Sequence, residues 1–341
     1  MPFAPSLQAD LAACQDLMRG GSRTFSAASH VLPARISEPA TALYAFCRVA
    51  DDLIDCNGGA SALNALRDRL DQVYAGTPSA LPADRALAGV VAHFAIPRAL
   101  LEALLDGFAW DASGRQYETL DELQDYAARV AGTVGAMMAV LMGARSPAQV
   151  ARACDLGTAM QLTNIARDVG EDARAGRLYL PRSWLRGVGI DPEAWLAEPH
   201  FAPAIGAVVE RLLQAAETLY ARADSGIAAL PWDCRPGIRS ARLLYAQIGA
   251  EIARNGFDSV TRRAVVPVRR KLRLVGWAVL TAMLPGKAAP APPLQACRYL
   301  VQAVTLAPSH VVVGGIGDRV VWVLELFARL QQQQIHGGGG L

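Results

Sequence analysis

Asn164, Asp168 and Asp172 stand at i, i+4 and i+8 in the run Asn164-Ile165-Ala166-Arg167-Asp168-Val169-Gly170-Glu171-Asp172. In a helix that spacing stacks all three on one face, turn upon turn. Carboxylates four residues apart repel by about 0.2–0.5 kcal/mol in an isolated helix, and burying them unpaired costs far more. The same helix runs back through Leu156, Met160 and Leu162, so this face is expected to be partly buried and to need a positive partner. A hard divalent cation, which takes oxygen ligands, is the obvious candidate.

A second acidic stripe lies more than a hundred residues earlier. Tyr44, Arg48, Asp51 and Asp55 fall at i, i+4, i+7 and i+11, with Asp52 beside them. Two such faces in a chain of 52% hydrophobic residues point to one site lined from both sides. Carboxylates alone repel a polyanion, whereas carboxylates loaded with Mg²⁺ attract substrate phosphates. Arginines would complete a phosphate clamp, because the guanidinium fork binds phosphate bidentately. Arg23, Arg48, Arg167, Arg174, Arg177, Arg262 and Arg263 all flank the two stripes or follow them. A diphosphate head with a long hydrocarbon tail suits both halves of such a cavity. The plainer alternative is a pair of solvated helix faces, with Arg48 and Arg167 in ordinary salt bridges.

The elements that must position these groups read as helices throughout. Helices are expected over residues 6–19, from Pro39 to about Asp55, and over 60–75, 84–94 and 97–110. A long one, Thr119 to Gly143, opens on the capping-box pattern Thr119-x-x-Glu122, and Pro147 opens the helix that carries the second acidic motif. Further helices are expected over 183–187, 192–197, 204–229, 236–255, 268–284 and 292–304. Gly132 and Gly135 interrupt the long helix, where each costs about 1 kcal/mol relative to Ala. They imply close approach by another helix, a ligand channel, or both. No alternating strand pattern and no internal repeat appears. The expectation is a single all-α domain over residues 1–330, followed by a disordered low-complexity tail at 331–341.

Bulk properties exclude several classes. A net charge of +2 is too small to argue a nucleic-acid binder. The cysteines Cys14, Cys47, Cys56, Cys154, Cys234 and Cys297 form no CxxC pair and no zinc spacing, which suits reduced thiols in a cytoplasmic helical core. The start MPFAPSLQADLAACQ lacks the pattern of a secretory signal. Leu274 to Leu284, the nearest approach to a membrane span, is too short for one. It follows the basic residues Arg262, Arg263, Arg269, Arg270, Lys271 and Arg273, a run that reads either as a solvated basic face beside a core helix or as a peripheral contact with the inner face of a membrane.

Together the motifs Tyr44-x-x-x-Arg48-x-x-Asp51-Asp52-x-x-Asp55 and Asn164-Ile165-x-Arg167-Asp168-x-x-Glu171-Asp172 resemble the squalene/phytoene synthase family. Ser22-Arg23-Thr24-Phe25, Val130-Ala131-Gly132-Thr133-Val134-Gly135, Arg177-x-Tyr179-Leu180-Pro181, Tyr245 and Arg262-Arg263 resemble further segments of that family, over about residues 15–275. The resemblance implies an isoprenoid-synthase helical bundle around a central cavity. It implies head-to-head condensation of two allylic diphosphates, dependent on Mg²⁺ with Mn²⁺ as a substitute. Asp51, Asp55, Asn164, Asp168 and Asp172 would be the metal ligands. Tyr44, Arg48 and Tyr245 would join the aspartates in catalysis, the tyrosines by offering a ring face to a cation. Ser22, Arg23, Phe25, Gln161, Asn164, Arg167, Arg177, Arg262 and Arg263 would bind substrate, with Phe25 limiting tail length.

Within the family the motif run looks most like the bacterial members that join two geranylgeranyl diphosphates, with no NADPH step and with other carotenoid-pathway enzymes as associates. The alternative is a C30 enzyme using farnesyl diphosphate, which would share the same catalytic residues. Ala128, where many relatives carry an aromatic residue, and Gly21 are departures that would alter the cavity wall.

Overall fold

The computed structural model describes residues 5–18, 32–57, 59–282 and 291–307, and the side chains of Asp51 and Asp55 lie outside that description. Helices α1 (Pro5–Met18), α2 (Ala34–Asn57), α3 (Gly59–Tyr74), α4 (Pro82–Phe94) and α5 (Arg98–Ala112) form the first half. A continuous run follows, made of α6 (Leu120–Ala127), one π-helical turn (Ala128–Gly132) and α7 (Thr133–Leu141). Then come α8 (Pro147–Arg174), the short α9 (Arg182–Gly187) and α10 (Pro192–Ala197), α11 (Pro203–Ala228), α12 (Arg235–Arg254) and α13 (Val268–Thr281). A 3₁₀ turn, Gln295–Cys297, leads into α14 (Arg298–Leu306). Among the described residues there is no strand, as the sequence leads one to expect.

Three boundaries differ from the sequence reading. Pro39 sits inside α2 instead of opening it. The helix starts after Pro33, whose carbonyl accepts from the Ile36 and Ser37 N–H groups at 2.8 and 3.0 Å. Pro39 lies close enough to that start to cost one helical hydrogen bond. The expected single helix from Thr119 to Gly143 is divided by the π turn. Its capping box is half formed. The Thr119 hydroxyl accepts from Glu122 N–H at 3.3 Å, while the Glu122 carboxylate takes the N–H of Glu118 instead of that of Thr119. The last described helix begins late, because Pro292 and Pro293 hold the chain extended.

Helix α8 is the axis of the molecule. Ser146 caps it with a full capping box and Pro147 occupies its first turn. Its 28 residues extend about 42 Å and pack against α7, α11, α12 and α14. One apolar cluster gathers α1 to α5 and α7 on its first half, and a second gathers α9 to α12 on its second half.

Two glycines set the closest of these contacts. A Cβ on Gly135 would stand 2.1 Å from the Ala153 carbonyl oxygen, and one on Gly157 would stand 2.2 Å from that of Ala131. Only glycine lets α7 and α8 approach this closely.

A buried ionic cluster ties three segments together. Arg152 and Asp155 on α8 pair at 2.8 Å, and Arg222 of α11 donates to the same Asp155 oxygen at 3.0 Å. Both guanidiniums continue to the carbonyls of Ala291 and Pro292. Burial still holds the Asp155 carboxyl above its ordinary range, against the pull of both arginines. Cys14, Cys154, Cys234 and Cys297 are buried free thiols and Cys47 is half-buried.

Candidate active site

A cavity of about 210 Å³ runs beside α8. One stripe of α8 lines it, from Gln149 and Arg152 through Ala153, Leu156 and Gly157 to Met160, Gln161 and Asn164. Opposite stand Ala131, Val134, Gly135, Met138 and Met142 from the π turn and α7. Helices α11 and α12 close it with Ile227, Leu230, Ile238 and Tyr245. Of the two glycines singled out in the sequence, Gly135 serves both roles, close helix packing and cavity lining, and Gly157 does the same. A Cβ on Gly132 would meet its neighbours at ordinary contact, 3.4 Å or more, and Gly132 does not line the cavity. Ala128 does neither. It is fully buried in the core at the start of the π turn and does not reach the cavity wall.

The middle of the cavity is apolar. Gln161, Asn164 and Tyr245 bring polar groups to one end, and Gln149 and the paired Arg152 stand at the other. Asp168 and Asp172 continue the Asn164 face one and two turns further along α8. Asp168 is clamped by arginines. Arg167 donates to both of its oxygens, at 2.7 and 2.5 Å, and Arg263 donates to Oδ1, which Arg167 Nε also bonds, at 3.0 Å. Arg263 also reaches Glu171 at 3.5 Å.

Asp172 is differently placed. Burial raises its carboxyl from 3.8 to about 7, and the neighbouring carboxylates of Asp168, Glu171 and Asp111 push the same way, against Arg177. A half-buried carboxyl among carboxylates is a site that gains from a cation.

The Arg262–Arg263 segment is fixed by backbone geometry. Asp258 accepts from the Val260 and Thr261 N–H groups at 3.1 and 2.9 Å and forms a tight turn. That turn crosses α8 at Gly170, whose N–H donates to the Ser259 carbonyl at 2.9 Å. A Cβ on Gly170 would lie 2.1 Å from the Val260 carbonyl oxygen. Arg174 donates to that same carbonyl at 2.5 Å. Gly170 thus lets the segment bearing Arg263 lie against the acidic face. Arg262 is exposed and sits near Asp258.

The sequence-derived site is brought together in part. Gln161, Asn164 and Tyr245 line one end of the cavity, while Asp168 and Asp172 follow further along α8, with Arg167 and Arg263 on Asp168 and Arg177 acting on Asp172. Arg48, expected to clamp phosphate opposite the second acidic face, pairs with Asp52 on its own helix at 2.9 Å, and both are largely exposed. Tyr44 is half-buried on the same helix. Ser22, Arg23 and Phe25 lie outside the described residues.

Sequence reasoning missed Asp111, at the end of α5. Its carboxylate accepts from the hydroxyls of Tyr126 and Tyr179, both at 2.8 Å, and it acts electrostatically on Asp172. No spacing rule links Asp111 to the acidic motif, so only the tertiary fold reveals it. Gly170 did carry a signal, as a glycine in a helix interior.

Among the described residues no three His, Cys, Asp or Glu side chains gather closely enough to hold a metal ion. The donors that α8 offers are nonetheless all oxygen, from Asn164, Asp168 and Asp172. That set, with Asp172 held up near 7, fits a hard divalent cation.

An all-α bundle folded around an apolar cavity is the architecture of the isoprenoid synthases. Residues 18–271 match the family described as squalene/phytoene synthase, and the chain belongs to that family. A phytoene synthase of Rhodobacter capsulatus is 57% identical over 286 residues, 82% of this chain and 84% of that protein. A phytoene synthase of Cereibacter sphaeroides is 56% identical, covering 81% of each. Among solved structures, a dehydrosqualene synthase bound to a ligand superimposes with a TM-score of 0.72 at 33% identity, over 80% of this chain and 96% of that one. The family works on prenyl diphosphates and generally needs a divalent metal.

Proposed function

We propose that this chain is a phytoene synthase. It would condense two geranylgeranyl diphosphates head to head, through prephytoene diphosphate, to phytoene, with release of two diphosphates. That reaction is the first committed step of carotenoid synthesis and consumes no reductant. The observation that carries the reading is a largely apolar cavity beside α8 whose Asn164 end runs on into the face of Asp168 and Asp172, with Arg167 and Arg263 held on Asp168. The identity of more than half to two bacterial phytoene synthases supports it.

The residues divide the work. Asn164, Asp168 and Asp172, with Asp51 and Asp55 of α2, would hold Mg²⁺ and through it the diphosphate. When bound, Mg²⁺ neutralises the leaving diphosphate and so favours ionisation of the allylic C–O bond. Arg167, Arg177 and Arg263, with Arg23 and Arg48, would bind phosphate oxygens directly. Arg167 and Arg263 now hold Asp168, so substrate would compete with that carboxylate for them. Gln161 and Ser22 would contact the head-group end. Tyr245, on the cavity wall, and Tyr44 would offer ring faces to the allylic cation. The apolar wall from Ala131 to Leu230 keeps water from quenching it.

Length supports the C40 reading. From Asn164 to Gln149 the lined stripe spans about 22 Å of helix. A geranylgeranyl chain extends about 20 Å at ordinary carbon–carbon bond lengths. The likeness to a dehydrosqualene synthase keeps a C30 reading as the second choice. The test is incubation of the purified chain with Mg²⁺ and geranylgeranyl or farnesyl diphosphate, each alone. A C40 triene-centred hydrocarbon from the first is expected, and a C30 product alone would replace the assignment with the second choice. We place the protein in the cytoplasm, working at the inner face of a membrane, where its substrate and product partition. No helix among the described residues is long and apolar enough to cross one.

A further inference from the structure

The outer face of α13 forms a surface for which the proposed reaction has no use. Between Thr261 and Thr281 there are six cationic side chains and no acidic one. Arg263 is held by Asp168 and Arg270 by Glu251 at 2.6 Å. Along the helix, Arg269, Arg273, Trp277 and Leu280 fall at i, i+4, i+8 and i+11, one stripe of an α-helix. All four are exposed, Trp277 at 59% and Leu280 at 77%. Ala278, on the opposite side, is buried. The stripe is cationic over its first two turns and apolar over its last two. Val265 and Val268, just before it, are 71% and 63% exposed.

This is a fixed surface. The Arg239 guanidinium donates to the Thr281 carbonyl at 2.8 Å, and Arg270 bridges to Glu251, so α12 holds α13 at both ends. Large exposed apolar side chains grouped on one rigid face mark an interaction site. Their combination with unopposed arginines selects the partner. An apolar protein surface would leave Arg269 and Arg273 desolvated and unpaired, at high cost. An acidic protein surface would leave Trp277 and Leu280 against charge. A bilayer containing anionic lipid satisfies both halves, because phosphates lie at the level of the arginines and the acyl boundary begins a few ångströms deeper. Tryptophan is favoured at that boundary.

We propose that the outer face of α13, with Val265 and Val268, docks on an anionic lipid surface. Arg269 and Arg273 lie against the headgroup phosphates, and Trp277 and Leu280 enter the interfacial layer. The helix then lies on the membrane and does not span it. Docking would set α12, which carries Tyr245 on the cavity wall, immediately behind the lipid-facing helix. The inference rests on the surface itself and does not depend on the proposed reaction.

The test is sedimentation of the full chain with vesicles, without substrate. Vesicles of phosphatidylcholine alone are compared with vesicles containing phosphatidylglycerol. Binding to the anionic vesicles is expected to be at least tenfold stronger at low salt and to weaken as salt rises. The double variant Arg269→Glu/Arg273→Glu should lose at least tenfold of that binding. Trp277→Ser/Leu280→Ser should also lose it, while both variants keep the wild-type unfolding midpoint and diphosphate release in detergent. Equal binding to both vesicle types would overturn the proposal, as would binding that neither double variant weakens. Self-association that the Trp277 variant abolishes, in a chain that ignores vesicles, would assign the face to a second copy instead.

Discussion

Asp172 is the residue whose environment carries the most chemical information. In the folded chain its carboxyl keeps a proton up to about pH 7, against an ordinary 3.8. Between those values the folded state binds more protons than the unfolded one, so the group's contribution to stability falls as pH rises. Without metal, unfolding temperature should therefore decline from about pH 4 to about pH 7 more steeply in the wild type than in Asp172→Asn. Added Mg²⁺ should flatten the decline, because the cation takes the place of the proton. Parallel thermal melts in chelator and in Mg²⁺ measure this, and identical slopes in both proteins would remove Asp172 from the account. The i, i+4, i+8 spacing shows from the sequence that Asn164, Asp168 and Asp172 share a face. It does not show that Asp168 is neutralised by Arg167 and Arg263 while Asp172 is left with Asp111 nearby. Asp111 lies on α5 and Arg263 on the segment after α12, and distance along the chain hides these two.

At the scale of elements, α8 organises the site through two contacts that no propensity rule reports. At Gly170 the 258–261 turn crosses the helix so closely that a methyl group would meet the Val260 carbonyl. Gly170→Ala should destabilise the fold by about 1–3 kcal/mol. It should also raise the KM for prenyl diphosphate as the segment bearing Arg263 moves off Asp168. A loss of stability with KM unchanged would show that Gly170 serves packing alone. At the other end, Asp155 binds Arg152 and Arg222 with almost no exposure. Asp155→Ala should cost about 3–5 kcal/mol in urea unfolding, since it leaves buried guanidiniums unpaired. The helices themselves were legible, because Pro147, Ser146 and the apolar periodicity set α8 and the prolines set most of the others. The π turn at Ala128–Gly132 was not, because it sits against α5 and α8, contacts that the local sequence does not show.

Over the whole molecule, two apolar clusters share α8; one domain over residues 1–330 stays a proposal, as residues 308–330 lie outside the described ones. The 331–341 tail lies outside the described residues. Depth is the property that should distinguish C40 from C30 chemistry. Ala153 lines the cavity about 16 Å along α8 from Asn164, beyond the reach of a farnesyl chain of about 15 Å but within that of geranylgeranyl. Ala153→Phe should lower turnover of geranylgeranyl diphosphate relative to farnesyl diphosphate at least tenfold. A ratio that stays constant in product assays would place the tail elsewhere. Phe25, the residue that the sequence suggested for this role, lies outside the described residues and remains our second candidate. The central claim is that the acidic face of α8 ionises a diphosphate with a divalent cation. It is tested most directly by diphosphate release from geranylgeranyl diphosphate in wild type and Asp172→Asn, across a Mg²⁺ titration. The account predicts Mg²⁺-dependent release in the wild type and a loss of at least about a hundredfold in the variant. Release that persists in Asp172→Asn, or that proceeds fully in chelator, would contradict it.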